Sequence, residues 1–129
     1  MDKKRERARV LKKRNVLSSA KYTELNRALC GFVSDFLNSA EVKTISAFLP
    51  IGSEPNISEV LKKWLSADSD RRVFLPVTED KTMRFAFWDP TKPLKLGRFG
   101  VPEPTSNLFF DPPLLLVPCV ALNKEGYRL

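Results

Sequence analysis

The spacing of apolar residues changes several times along this 129-residue chain, and each change marks an element. Residues 2–17 are rich in strong helix formers and lack Gly and Pro, which predicts a first helix, with Ser18 and Ser19 as a break and a new N-cap. From there Tyr22, Leu25, Leu29, Phe32, Val33 and Phe36 recur every three or four residues. They predict an amphipathic helix that ends near Ser39 and turns this stripe to the core. Thr44 to Leu49, bounded by Lys43 and Pro50, reads as a short buried strand. Asn56 with Glu59 three residues on is the pattern of a capping box, opening a helix whose Ile57, Val60, Leu61, Trp64 and Leu65 share one face. Arg72–Pro76, Met83–Trp88 and Leu114–Val117 read as further strands. Between the last two, six prolines from Pro90 to Pro113 predict an irregular wrapped loop. Strand, helix, strand in this order predicts an α/β fold with a parallel sheet, and the length predicts one domain over 1–129.

Composition narrows the class. Hydrophobic residues at 43% and charged residues at 29% are ordinary for a soluble globular protein, and no apolar run nears the ~20 residues of a membrane span. The basic N-terminus is interrupted by Lys12, Lys13, Arg14 and Asn15 where a secretory signal needs an apolar core, so export is not expected and a cytoplasmic location is. Cys30 and Cys119 lack metal-site spacing and read as two reduced thiols. There is no histidine, which removes His-based triads and the commonest zinc ligand.

Charge is unevenly placed. Residues 2–14 hold eight Lys and Arg against Asp2 and Glu6, a surplus of six out of the net +7. Such a segment suits a polyanion: nucleic acid, an anionic membrane surface, or a multiply charged small molecule such as a nucleotide triphosphate or a folate. A small nucleic-acid-binding module using this helix is one reading. Against it, the basic residues are confined to one segment and no groove-reading or single-strand-reading motif accompanies them.

The second half carries a more specific signal. Phe99-Gly100-Val101-Pro102-Glu103-Pro104, the apolar run Leu114 to Val117, and then Pro118 to Leu129, with Ala121, Asn123, Gly126, Arg128 and Leu129 at fixed offsets, occur in that order. This arrangement resembles the 5-formyltetrahydrofolate cyclo-ligase family, also called methenyltetrahydrofolate synthetase. The basic helix and the Leu49-to-Glu54 loop agree with it, whereas Leu122 and Asn123 stand where the family more often has Phe and Asp.

The resemblance implies a three-layer α/β/α fold with a mostly parallel sheet. It implies ATP and Mg2+ as cofactors, 5-formyltetrahydrofolate as substrate, no membrane partner, and a monomer. The implied reaction converts ATP and 5-formyltetrahydrofolate to ADP, phosphate and 5,10-methenyltetrahydrofolate, chemistry that needs no histidine. Lys3 and Arg7, four residues apart on one helical face, match the family's paired basic positions. Their implied role is to contact ATP phosphates, with Lys4, Arg5 and Glu6 completing the turn and Arg128 joining them. Leu49 and Glu54 match residues that contact the folate, and no catalytic residue is assigned. Phe85, Phe87 and Trp88 are expected chiefly to pack, although one flat ring near the pocket could stack on a pterin. The Val101–Pro104 turn is expected to shape the pocket.

In the family the Arg-Leu pair leads into a glycine-rich phosphate loop, whereas this sequence ends at Leu129. The C-terminal part of the fold is therefore expected to be missing, and little turnover is expected of the chain ending there. An inactive remnant is the corresponding alternative.

Overall fold

The computed structural model describes residues 2–129. Helix α1 spans Lys3–Asn15, with the Asp2 carboxylate capping its start by accepting from the N–H groups of Lys4 and Arg5. Lys12, Lys13 and Arg14 lie at its carbonyl end, where the helix dipole favours cations. No α1 side chain is buried. Helix α2 (Ser19–Ser39) starts at the expected cap, with the Ser18 hydroxyl accepting from the Lys21 N–H.

Strand β1 (Thr44–Ser46), helix α3 (Ser58–Ala67), and strands β2 (Arg72–Glu79) and β3 (Thr82–Phe87) follow, then β4 (Lys95–Leu96), a 3-10 turn (Arg98–Gly100), β5 (Pro102–Glu103) and β6 (Leu114–Leu115). The main sheet has the order β3-β2-β1-β6, with β1 parallel to both β2 and β6 and β3 antiparallel to β2. β4 and β5 pair separately as a small hairpin. No described helix is long and apolar enough to cross a membrane.

The α/β class and mostly parallel sheet are as expected. One helical layer, α2 with α3, packs on the sheet through Leu37, Leu61 and Trp64 against Ile45, Val73 and Leu75. The alternate positions Ser46, Pro76, Thr78 and Leu115 look toward an open cavity on the other side.

Three expectations are corrected. Of the α2 stripe expected to face the core, Val33 does so, but Leu25, Leu29, Phe32 and Phe36 do not. Those residues are exposed, Phe32 by 74%, while Cys30, Val33 and Leu37 face the core. Two neighbouring stripes of this helix are apolar, and spacing alone does not choose between them. Asn26 fixes the choice by exchanging hydrogen bonds with the backbone of Asn56, its amide donating to the carbonyl at 3.0 Å and its oxygen accepting from the N–H at 2.8 Å.

The reciprocal capping box at Asn56 is also absent. Asn56 accepts from the Ser58 N–H and hydroxyl, but Glu59 turns to Lys62 instead of reaching back. Finally, the proline-rich stretch is not wholly irregular, since it contains the β4–β5 hairpin.

Candidate functional site

The site is built from the turn that follows β1. Gly52 adopts φ +59°, a conformation open to residues without a Cβ, and lets Ile51–Glu54 close tightly with the Glu54 N–H on the Ile51 carbonyl at 3.2 Å. The Ile51 N–H in turn donates to Glu54 Oε1 at 2.9 Å, fixing the carboxylate.

Two helices hold the turn from outside. The Tyr22 hydroxyl donates to the Glu54 carbonyl at 2.8 Å. Ser53 Oγ accepts from Arg14 Nε at 2.8 Å and donates to Asn15 Oδ1 at 2.6 Å. Glu54 is thus presented on a braced loop beyond the carboxyl end of a parallel strand, where open α/β sheets place their ligands.

Two cavities meet there. The larger, about 540 Å³, is predominantly apolar, lined by Leu49, Pro76, Phe85, Val101, Pro102, Leu115 and Val117 among others. The smaller, about 220 Å³, is more polar and is lined by Arg7, Glu54, Pro118–Val120, Arg128 and Leu129. Glu54 and Arg128 line both.

Among the described residues no group of three or more His, Cys, Asp or Glu side chains converges to hold a metal. The only side-chain carboxylate lining these cavities belongs to Glu54, which stands among two guanidinium groups. These residues do not fit a magnesium site, for which carboxylate oxygens are the usual protein ligands.

The structure brings four of the expected site residues together: Arg7, Leu49, Glu54 and Arg128. Lys3, Lys4 and Arg5 are exposed on the first turn of α1 and line neither cavity, and Glu6 pairs with Arg9 at 2.8 Å. Of the aromatic cluster, Phe85 lines the larger cavity. Phe87 packs edge-on against Phe74 at 6.0 Å, and Trp88 is buried in the core.

The reading from sequence missed Thr78, Met83, Leu115 and Val117 as wall residues. The period-two alternation of β2, β3 and β6 was the signal available for them. Burial pushes the Cys30 thiol up, and its sulfur donates to the Asn56 carbonyl at 3.3 Å, away from the site.

The family model for 5-formyltetrahydrofolate cyclo-ligase matches residues 1–129. The chain belongs to that family. A relative from Mycolicibacterium smegmatis, named 5-formyltetrahydrofolate cyclo-ligase, is 30% identical over 112 residues, covering 79% of this chain and 56% of its own length. The NMR structure of Aquifex aeolicus 5,10-methenyltetrahydrofolate synthetase superposes with a TM-score of 0.77 at 27% identity, covering 99% of this chain and 66% of its own. A 5,10-methenyltetrahydrofolate synthetase from Mycoplasma pneumoniae gives 0.76 at 25% identity, covering all of this chain and 71% of its own. The chain thus spans between about half and about seven-tenths of the length of these relatives.

Proposed function

We propose that the two adjoining cavities bind 5-formyltetrahydrofolate and ATP and serve ATP-dependent cyclisation to 5,10-methenyltetrahydrofolate, with release of ADP and phosphate. The observation that carries this reading is the shared wall. Glu54 and Arg128 border an apolar cavity wide enough for a flat heterocycle and a polar one that also contains Arg7. The guanidinium groups of Arg7 and Arg128 suit phosphate oxygens, which a planar donor fork meets two at a time. Glu54 Oε1 is engaged by Ile51, leaving the other oxygen to accept an N–H from the pterin edge. Leu49 and Phe85 supply apolar surface for the ring. Lys3, Lys4 and Arg5 belong to this proposal as exposed cations of the same helix, outside the cavity, that add to the positive field around the phosphates, with Glu6 completing their turn.

The chemistry asks little covalent work of the protein. The formyl oxygen attacks the γ-phosphorus and ADP leaves. N10 then attacks the formyl carbon, loses its proton, and the oxygen departs with the phosphate. Holding two anionic reactants in contact and countering charge on the phosphoryl oxygens is the protein's share, which this proposal gives to Arg7 and Arg128 for the phosphates and to Glu54 for the pterin. The nucleic-acid reading is less well supported, because Arg7 faces a cavity, Arg9 pairs with Glu6, and Arg14 is tied to Ser53.

Binding is the direct test. Calorimetry with each ligand separately should show both bound. Glu54→Gln should weaken 5-formyltetrahydrofolate about tenfold or more while leaving ATP within about twofold, because an amide both donates and accepts where a carboxylate only accepts. Formation of the methenyl product, followed by its near-ultraviolet absorbance, reads turnover. Unchanged folate affinity in Glu54→Gln would reduce Glu54 to a loop acid, and no folate binding by the unaltered chain would overturn the reading.

A further inference from the structure

Glu103 is 4% exposed, one of two buried polar residues among those described, and it lines neither cavity. Its place follows from a mismatch in strand lengths. β1 pairs only with Arg72–Phe74, so the rest of β2, through Glu79, has no strand on that edge. Glu103 Oε2 accepts from the Thr78 N–H at 3.1 Å, supplying the missing partner. The carboxylate fits because residue 97 is glycine: a Cβ there would lie 2.1 Å from the Glu103 carboxyl carbon. The hairpin that carries Glu103 also carries Val101 and Pro102, which wall the larger cavity. An exposed second tie, Arg98 to the Asp80 carbonyl at 2.9 Å, holds the hairpin at its turn.

We infer that Glu103 is a positioning residue: by clamping the β4–β5 hairpin to the unpaired edge of β2, it sets the wall against which the reduced folate packs. Gly97 is the space that makes the clamp possible. The inference rests on the folate reading of the larger cavity and goes beyond it by assigning folate discrimination to a residue outside the cavity.

The test compares Glu103→Ala, Glu103→Gln, Gly97→Ala and the double variant Gly97→Ala/Glu103→Ala, by calorimetry with 5-formyltetrahydrofolate and with ATP. Glu103→Ala should weaken folate tenfold or more and leave ATP within twofold, a split that a general loss of fold would not give. Glu103→Gln keeps a carbonyl for the Thr78 N–H and should restore folate binding to within about threefold. Gly97→Ala should expel the carboxylate and reproduce Glu103→Ala, and the double variant should be no worse than either single change.

Amide exchange supplies a readout independent of ligand: the Thr78 N–H should exchange at least tenfold faster in Glu103→Ala and Gly97→Ala than in Glu103→Gln. If Glu103→Ala binds folate normally, or Thr78 exchange does not change, the clamp is wrong. If the unaltered chain binds no folate while Thr78 exchange responds as stated, the clamp stands and the ligand assignment falls.

Discussion

Ser53→Ala isolates the attachment of α1. The helix contributes no buried side chain, yet it delivers Arg7 to the smaller cavity. Besides the half-buried Val10 and Leu11, its hold on the body passes through Ser53, whose hydroxyl accepts from Arg14 Nε at 2.8 Å and donates to Asn15 Oδ1 at 2.6 Å. A neutral hydrogen bond contributes about 0.5–1.5 kcal/mol net and one to a charged group somewhat more. Because the Arg14 bond is part-buried and the Asn15 bond exposed, about 1–2 kcal/mol is a fair total, a five- to thirtyfold change in the ratio of docked to undocked helix. A detached 13-residue helix is too short to persist in water, so undocking and unravelling go together. Hydrogen exchange read by mass spectrometry should show peptides within 3–15 exchanging about five- to thirtyfold faster in the variant, while β2 is unchanged. If α1 exchange is unaffected, the helix is held by something other than Ser53. If β2 accelerates equally, α1 belongs to the cooperative core and the reasoning fails.

Arg7→Ala should weaken ATP about tenfold and spare folate, whereas Arg128→Ala should weaken both, because Arg128 alone of the two lines both cavities. Equal effects of the two substitutions in calorimetry would dissolve that distinction. Leu61→Ala removes a fully buried core side chain and should cost about 3–5 kcal/mol in urea unfolding, and a loss below about 1 kcal/mol would mean that α3 packs loosely. The Lys43 ammonium and then the Asp70 N–H hold the Asp68 carboxyl below its ordinary value, and the Thr91 hydroxyl and N–H do the same for Asp89. Depressed carboxylates stabilise the fold above the unfolded value near pH 4, and the contribution is lost as pH falls through the lower folded values. Asp68→Asn with Asp89→Asn should therefore flatten the stability profile below about pH 4, as checked by thermal melts across pH 2–6, and an unaltered acid limb would show that neither matters.

Residues whose role is local were legible in the sequence. Ser18 caps α2 where its position before a periodic run predicted, and Leu61 with Trp64 faces the core. Glu54 was legible because a carboxylate after a buried strand falls at the ligand-binding end of a parallel sheet. The orientation of α2 was not, because the choice between two apolar stripes is made by Asn26 bonding to Asn56, thirty residues away. Glu103 was visible as part of a motif but not as a clamp, since its partners Thr78 and Gly97 meet it only after the hairpin folds back. Gathering Arg7, Glu54 and Arg128 required three segments distant in the chain, which no periodicity encodes.

The buried hydrophobic cluster has a further consequence for how the molecule opens. All of its fully buried members, from Leu37 to Trp88, come from one contiguous stretch, and later residues join only through partly buried Leu114 and Leu116. Val101, Leu115, Val117 and Arg128, which complete the cavities, all lie in the later part. By this reasoning the cooperative unit lies in the earlier two-thirds of the chain, and the later third is expected to detach at lower free energy. A ligand seated between the two parts would have to fasten the later one down, at a cost to its binding free energy. Affinity should therefore rise with any substitution that stiffens residues 89–129, even one that touches no ligand atom.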